Sequence, residues 1–177
     1  MTMTEGTRRA AAPAVEQLGG PLPPVLQPDE GVSFWRPQPT NGYVTVKTSP
    51  AYGGPGEIAM GIQVIPPGGF VQEHSHDRQV EILFCFEGEG HVEVDGKTHP
   101  FRPGTSVVAY PWLKHKIVNS GSAELKMTWT MMPSGLETFF RKIGRPRYPG
   151  DPPPPPFDPP KSADDIQRET GFGDLQR

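Results

Sequence analysis

Residues 68–96 read GGFVQEHSHDRQVEILFCFEGEGHVEVDG, and this stretch decides the fold class. It holds three short runs of strand-forming residues, Phe70–His76, Glu81–Glu87 and His91–Val94, separated by turn chemistry around Gly88, Gly90 and Asp95-Gly96. Glycine at such points takes positive φ at no steric cost. Asp95-Gly96 between two alternating runs signals a type I′ hairpin, so Lys97–Phe101 is read as the returning strand. Working outward, the same texture continues through Tyr43–Lys47, Glu57–Ile65, Ser106–Tyr110, His115–Asn119 and Leu125–Met131. Short strands at this spacing predict an all-β sandwich or barrel.

The flanks are different in composition. Glycine (21) and proline (24) together make up about a quarter of the 177 residues, but five prolines precede residue 30 and nine lie between Pro146 and Pro160. The chain therefore reads as a 1–40 N-terminal arm, partly disordered and extended near Val32–Trp35, then a 41–133 β-barrel, a 134–144 helix docked on it, and a 145–177 proline-rich tail. Leu136, Phe139, Phe140 and Ile143 fall at i, i+3, i+4 and i+7, with Ser134 and Glu137 as a capping box and Gly144 as the stop. Pro152–Pro156 describe a polyproline II spacer, expected to stay solvated or to lie over a partner subunit. Ser162 is placed to start one or two last helical turns.

Several classes are excluded. No run of 18 apolar residues exists, so no membrane partner is expected. An Ala- and Pro-rich stretch follows Arg8 and Arg9 where a secretory signal would need an apolar segment, so the expected location is cytoplasmic. A net charge of −3 offers no electrostatic basis for a nucleic-acid partner. The single cysteine, Cys85, excludes an intrachain disulfide or a cysteine zinc knuckle, and its strand parity reads as a buried inert thiol.

Strand period places side chains on faces. His74 and His76 share one face of a strand, Glu81 stands at the start of the next strand, and His115 opens a later one. Three neutral imidazoles and one carboxylate converging inside a barrel make a site suited to a divalent first-row ion, with two octahedral positions left open. The competing reading, four unrelated surface groups near turns, is disfavoured because an apolar barrel would not tolerate them unpaired. His91 and His99 read as surface histidines.

By the same parity Phe70 and Gln72 are expected to look into the cavity, and Met60, Ile62, Leu83, Met127, Trp129 and Met131 to form its wall, with Trp112 flanking the metal. No catalytic residue is singled out; Gln72 and Tyr110 are the candidates. The opposite face of the Glu81 run carries Ile82, Phe84 and Phe86, which need cover from the arm or from a second subunit, so a homodimer is expected.

These residues carry a family resemblance. Gly68-x5-His74-x-His76-x4-Glu81-x6-Gly88 matches the first motif of the cupin superfamily at every position that defines it. Gly96, Pro103-Gly104, Pro111 and His115-x3-Asn119 resemble the second, with a spacing before Pro103 one residue off some versions. The resemblance spans about residues 57–131. It implies a small jelly-roll barrel with His74, His76, Glu81 and His115 as ligands of one divalent transition metal per chain, Fe(II) first and Mn(II), Ni(II), Co(II) or Zn(II) as alternatives. It further implies a small-molecule substrate, enolic, aromatic or carboxylate-bearing, that chelates the metal in an Fe(II)-type dioxygenase or oxidoreductase. The alternatives are a redox-neutral isomerase, lyase, decarboxylase or cyclase, and a non-catalytic binding cupin.

Overall fold

The structure, a computed structural model, describes residues 20–173; the N-terminal part of the expected arm, residues 1–19, lies outside the described residues. The strands in chain order are β1 Val32–Trp35, β2 Tyr43–Thr48, β3 Ala59–Ile65, β4 Phe70–His76, β5 Val80–Glu87, β6 Gly90–Val94, β7 Lys97–Phe101, β8 Ser106–Ala109, β9 His115–Val118 and β10 Leu125–Met132. Helix α1 (Leu136–Ile143), β11 (Arg145–Arg147), α2 (Ala163–Thr170) and β12 (Phe172–Gly173) follow among the described residues. They form two antiparallel sheets, ordered β11-β1-β2-β3-β10-β5-β8 and β12-β4-β9-β6-β7. One hydrophobic cluster joins them, drawing Leu83 and Met127 from the first sheet and Val92, Phe101 and Ile117 from the second. The strand pattern predicts a sandwich or barrel, and the arrangement is the jelly roll that the family resemblance implies. The hairpin between β6 and β7 turns on Asp95 (φ 45°) and Gly96 (φ 76°), both positive as a type I′ turn requires. No helix among the described residues is long and apolar enough to cross a membrane.

Three features differ from the sequence reading. The first is the facing of β3. Ala59, Gly61, Gln63 and Ile65 point into the core, while Met60 and Ile62 are half-buried on the other side. The inward residues of β10 explain it: Met127, Trp129 and Met131 lie opposite Gln63, Gly61 and Ala59. Two rows of large side chains would not fit between the sheets, so the large row of β10 meets the small row of β3. A Cβ at position 61 would stand 2.5 Å from Cζ2 of Trp129.

The second difference is the start of α1. The helix spans Leu136–Ile143 as expected, but Gly135 occupies the cap and no side chain closes it. Glu137, in the first turn, accepts the Gly135 N–H at 2.9 Å. The helix begins one residue later than a Ser134 cap requires, so only the returning half of the capping box forms. Glu137→Ala is expected to cost about 1 kcal/mol, a fall in Tm of about 2–4 °C by thermal unfolding, since it frees one amide at the helix start.

The third is the tail. Instead of remaining solvated it returns to its own barrel. β11 pairs with β1, β12 pairs with β4, and Phe157, Ile166 and Phe172 are all buried. The prolines between them lower the entropy lost when the segment is laid down. Arg145 and Arg147 add ring contacts, Arg145 over Phe157 at 4.0 Å and Arg147 over Tyr43 at 3.7 Å.

Candidate metal centre

β4 carries His74 and His76, β5 brings in Glu81 as its second residue, and β9 opens with His115. His74 lies directly opposite His115 in the β4–β9 ladder. One ligand atom from each of the four residues falls within 4.8 Å of all the others. Oε2 of Glu81 stands 3.1 Å from Nε2 of His76 and 3.0 Å from Nε2 of His115. His76, Glu81 and His115 are buried and His74 is half-buried. The Trp112 backbone, at a left-handed φ of 67°, donates its N–H to the His76 carbonyl at 2.7 Å. That bond ties the end of β4 to the loop entering His115, so the two histidine-bearing strands are held in one register.

Backbone carbonyls orient two of the rings. Nδ1 of His74 lies 2.8 Å from the Gln72 carbonyl and Nδ1 of His115 lies 3.0 Å from the Leu113 carbonyl. Each carbonyl accepts from an Nδ1–H, which leaves Nε2 for the cluster. Burial, and then the neighbouring His115 and His76, push the His74 pKa well below its ordinary value. His115 moves the other way. Burial alone would lower it, but the Glu81 hydrogen bond and charge raise it. Glu81 is held well below the usual carboxylate range: burial opposes its ionisation, and the hydrogen bonds and charges of His115 and His76 overcome that cost. Crowded imidazoles around one anionic oxygen fit a divalent cation, because its charge satisfies neutral nitrogens and a carboxylate together. The residues present therefore fit the group.

Comparison with known proteins agrees with this geometry. A family model described as "Cupin domain" matches residues 61–131, which contain all four residues of the cluster. Residues 61–131 of this chain form a cupin domain. A solved sugar phosphate isomerase from a cupin superfamily of Silicibacter pomeroyi is 19% identical, covers 63% of this chain and 77% of its own, and superposes with a TM-score of 0.53. Polyketide synthase CurC of Streptomyces cyaneus is 30% identical over 74 residues, 42% of this chain and 48% of its own length. Protein SchB of Streptomyces halstedii is 27% identical over 92 residues, 52% of this chain and 67% of its own. The chain thus spans about half the length of the first of these curated relatives.

The cupin cluster opens onto a cavity of about 430 Å³ lined by His74 and Glu81. Of the residues predicted to line it, Phe70, Gln72, Leu83 and Met127 do. Gln72 lines the cavity but is exposed, at the point where the β4 ladder shifts between Val71 and His74. Its carbonyl, not its side chain, serves the cluster. Met60 and Ile62 face away, and Trp129 and Met131 are buried core below the cavity, outside its lining. Trp112 acts through its backbone and does not line the cavity, and Tyr110 is 62% exposed.

Sequence reasoning missed the other walls of this cupin. Leu136, Phe139 and Phe140 come from α1, Gln167 and Phe172 from the returned tail, Gln63 from β3, and Arg36 from the segment just after β1. Phe172 packs on the His76 ring at 5.0 Å and on Phe139 at 6.1 Å. Only Gln63 carried a usable signal, as the one polar member of the small-residue face of β3.

Proposed function

We propose that the chain is a metal-dependent cupin enzyme of the Fe(II)-type dioxygenase or oxidoreductase class, acting on a small organic substrate of enolic, aromatic or carboxylate-bearing kind. The observation that carries this reading is the His74, His76, Glu81 and His115 cluster opening onto a cavity with aromatic walls. A divalent ion held by these four residues supplies Lewis acidity, and a redox-active one also supplies dioxygen activation. The chain's own residues do the remaining work. The Gln72 and Leu113 carbonyls hold two rings in their tautomers, Trp112 locks the strand register, and Phe139, Phe140 and Phe172 keep water from the apolar side.

The other titratable groups on the cavity wall are poor bases for proton abstraction. Glu73 is exposed beside Lys114 at 3.9 Å, and Lys116 is paired with Glu93 at 3.3 Å. Oxygen chemistry needs no protein base, which ranks it first. One observation favours a redox-neutral isomerase, lyase, decarboxylase or cyclase instead: the partial match to a protein named as a polyketide synthase, a name that denotes no oxidation. Metal analysis of protein purified without chelator, with turnover of enolic and aromatic substrates measured in air and under strict anaerobiosis, separates the two. Iron with oxygen uptake is the expected result. Anaerobic turnover would move the assignment to the redox-neutral class, and metal-loaded protein inert to every substrate would leave a binding cupin.

We also propose a homodimer through the outer face of β5, where Ile82, Phe84 and Phe86 are 45%, 42% and 39% exposed beside Val108 of β8. Among the described residues the returned tail leaves this face open, and a second copy of the chain is the cover proposed for it. Light scattering of wild type should give twice the chain mass, and Phe84→Glu should give a monomer. A monomeric wild type at micromolar concentration would refute it.

A further inference from the structure

The cavity wall carries a cation with a buried hydrogen-bond donor left unpaired. Arg36 follows β1 directly, and its loop is closed by two backbone bonds, the Arg36 N–H to the Gly42 carbonyl at 3.0 Å and the Gln38 N–H to the Phe157 carbonyl at 2.9 Å. The side chain lines the cavity together with Glu81 and His74. Its Nε is buried with no hydrogen-bond partner, and its guanidinium stacks over the Phe140 ring at 4.8 Å. Removal from water pulls this arginine down to about 10, with the Glu81 charge opposing that shift. Gln63 adds a second unused donor. The residue is 4% exposed, lines the same cavity, and its Nε2 has no partner. Buried donors left unpaired are costly and are kept where a ligand completes them.

We propose that Arg36 and Gln63 form an oxyanion subsite of this cavity, and that the substrate is an organic carboxylate whose carboxyl group is held by these donors while its apolar, ring-bearing body lies against Phe139, Phe140 and Phe172. This rests on the reading of the cavity as the substrate site and narrows it from any small organic molecule to an acid. A guanidinium fork matches a carboxylate in plane, and Gln63 supplies a third N–H. The volume suits an acid built on one or two rings and leaves a two-carbon acid most of the cavity empty. The proline-rich segment that closes the Arg36 loop gives the donor a set position before the ligand arrives, which lowers the entropy cost of binding.

The test uses the full chain, loaded with Zn(II) and separately treated with EDTA, with 2-naphthoate and its uncharged analogue 2-naphthamide as calorimetric probes. Wild type should bind naphthoate about tenfold or more tightly than naphthamide, and Arg36→Met should remove that preference by weakening naphthoate far more than naphthamide. Gln63→Leu should lose a smaller part of it, and Arg36→Lys should restore it only in part because an ammonium lacks the planar fork. Near-UV circular dichroism checks that each variant is folded, and Gln63→Leu and Arg36→Lys carry the test if Arg36→Met is not. Equal affinity for the two probes in wild type, or an Arg36→Met protein that keeps the preference, overturns the subsite and leaves the metal reading intact. A preference that persists without Zn(II), in a chain shown to bind no metal, keeps the subsite and overturns the metal reading. No binding of either probe overturns the cavity as a substrate site and this proposal with it.

Discussion

Glu81→Gln is expected to abolish useful metal binding, lowering affinity for a divalent ion by more than about a hundredfold, since losing even a residue that only supports a ligand costs about 10–100-fold. Glu81 is the sole anion of the cluster, and its Oε2 is the point on which His76 and His115 converge. Competition against a chromophoric chelator measures the loss, and undiminished affinity would remove Glu81 from the ligand set. The same substitution should reshape the pH dependence of stability in the metal-free protein. Glu81 lies below its ordinary value of 4.5 when folded, so its contribution is fully present above pH 4.5 and fades as pH falls through the folded value. His115 lies above its ordinary 6.5, so its contribution is fully present below pH 6.5 and fades as pH rises through the folded value. Wild-type stability should therefore be greatest between these limits and decline on both sides, whereas Glu81→Gln should give a flatter curve. Urea unfolding at pH 4, 5.5 and 8 reads the difference, and superimposable curves would show that the pair is uncoupled.

Gly61→Ala should be strongly damaging for a single added methyl, at about 3 kcal/mol and hence a Tm lower by about 6–12 °C. Its Cβ would stand 2.4 Å from the Thr45 carbonyl oxygen and 2.5 Å from Trp129 Cζ2. Neither neighbour yields easily. The carbonyl belongs to the β2 backbone, and Trp129 is 1% exposed and packs edge-on against Phe140 at 5.5 Å. Adding Trp129→Phe removes the ring clash but not the carbonyl clash, so the double variant should recover only part of the loss relative to the sum of the single effects. A Gly61→Ala protein as stable as wild type would mean that β3 and β10 are not packed in this register.

That contact also marks where reading the chain stopped. β4 and β7 coincide with the predicted runs Phe70–His76 and Lys97–Phe101, because turn residues and period-two alternation are local properties. The residues of the metal cluster were legible for the same reason, two histidines one pleat apart and partners at the starts of later strands. The orientation of β3 was not. Both of its faces carry apolar residues, and the decision lies in the volume of Trp129 on a strand more than sixty residues away. Gln72 lines the cavity as expected, but its exposure there goes with a shift in the β4 ladder that depends on pairing with β9.

Arg36 and Phe172 show the limit at the termini. Each sits in a stretch without periodicity, rich in proline, where composition argues for a mobile arm or a solvated tail. What turns these stretches inward is a few isolated apolar anchors, Phe157, Ile166 and Phe172, and pairing to β1 and β4. The amino-acid order alone determined the short strands, the β6–β7 hairpin and which four residues are candidate ligands, because strand period and turn chemistry are local and the two motifs are read directly from residue spacing. Which side chains wall the cavity, and that a cation waits inside it, was decided only when distant segments competed for the same space, since close packing and the pairing of free strand edges act between residues with no relation in sequence.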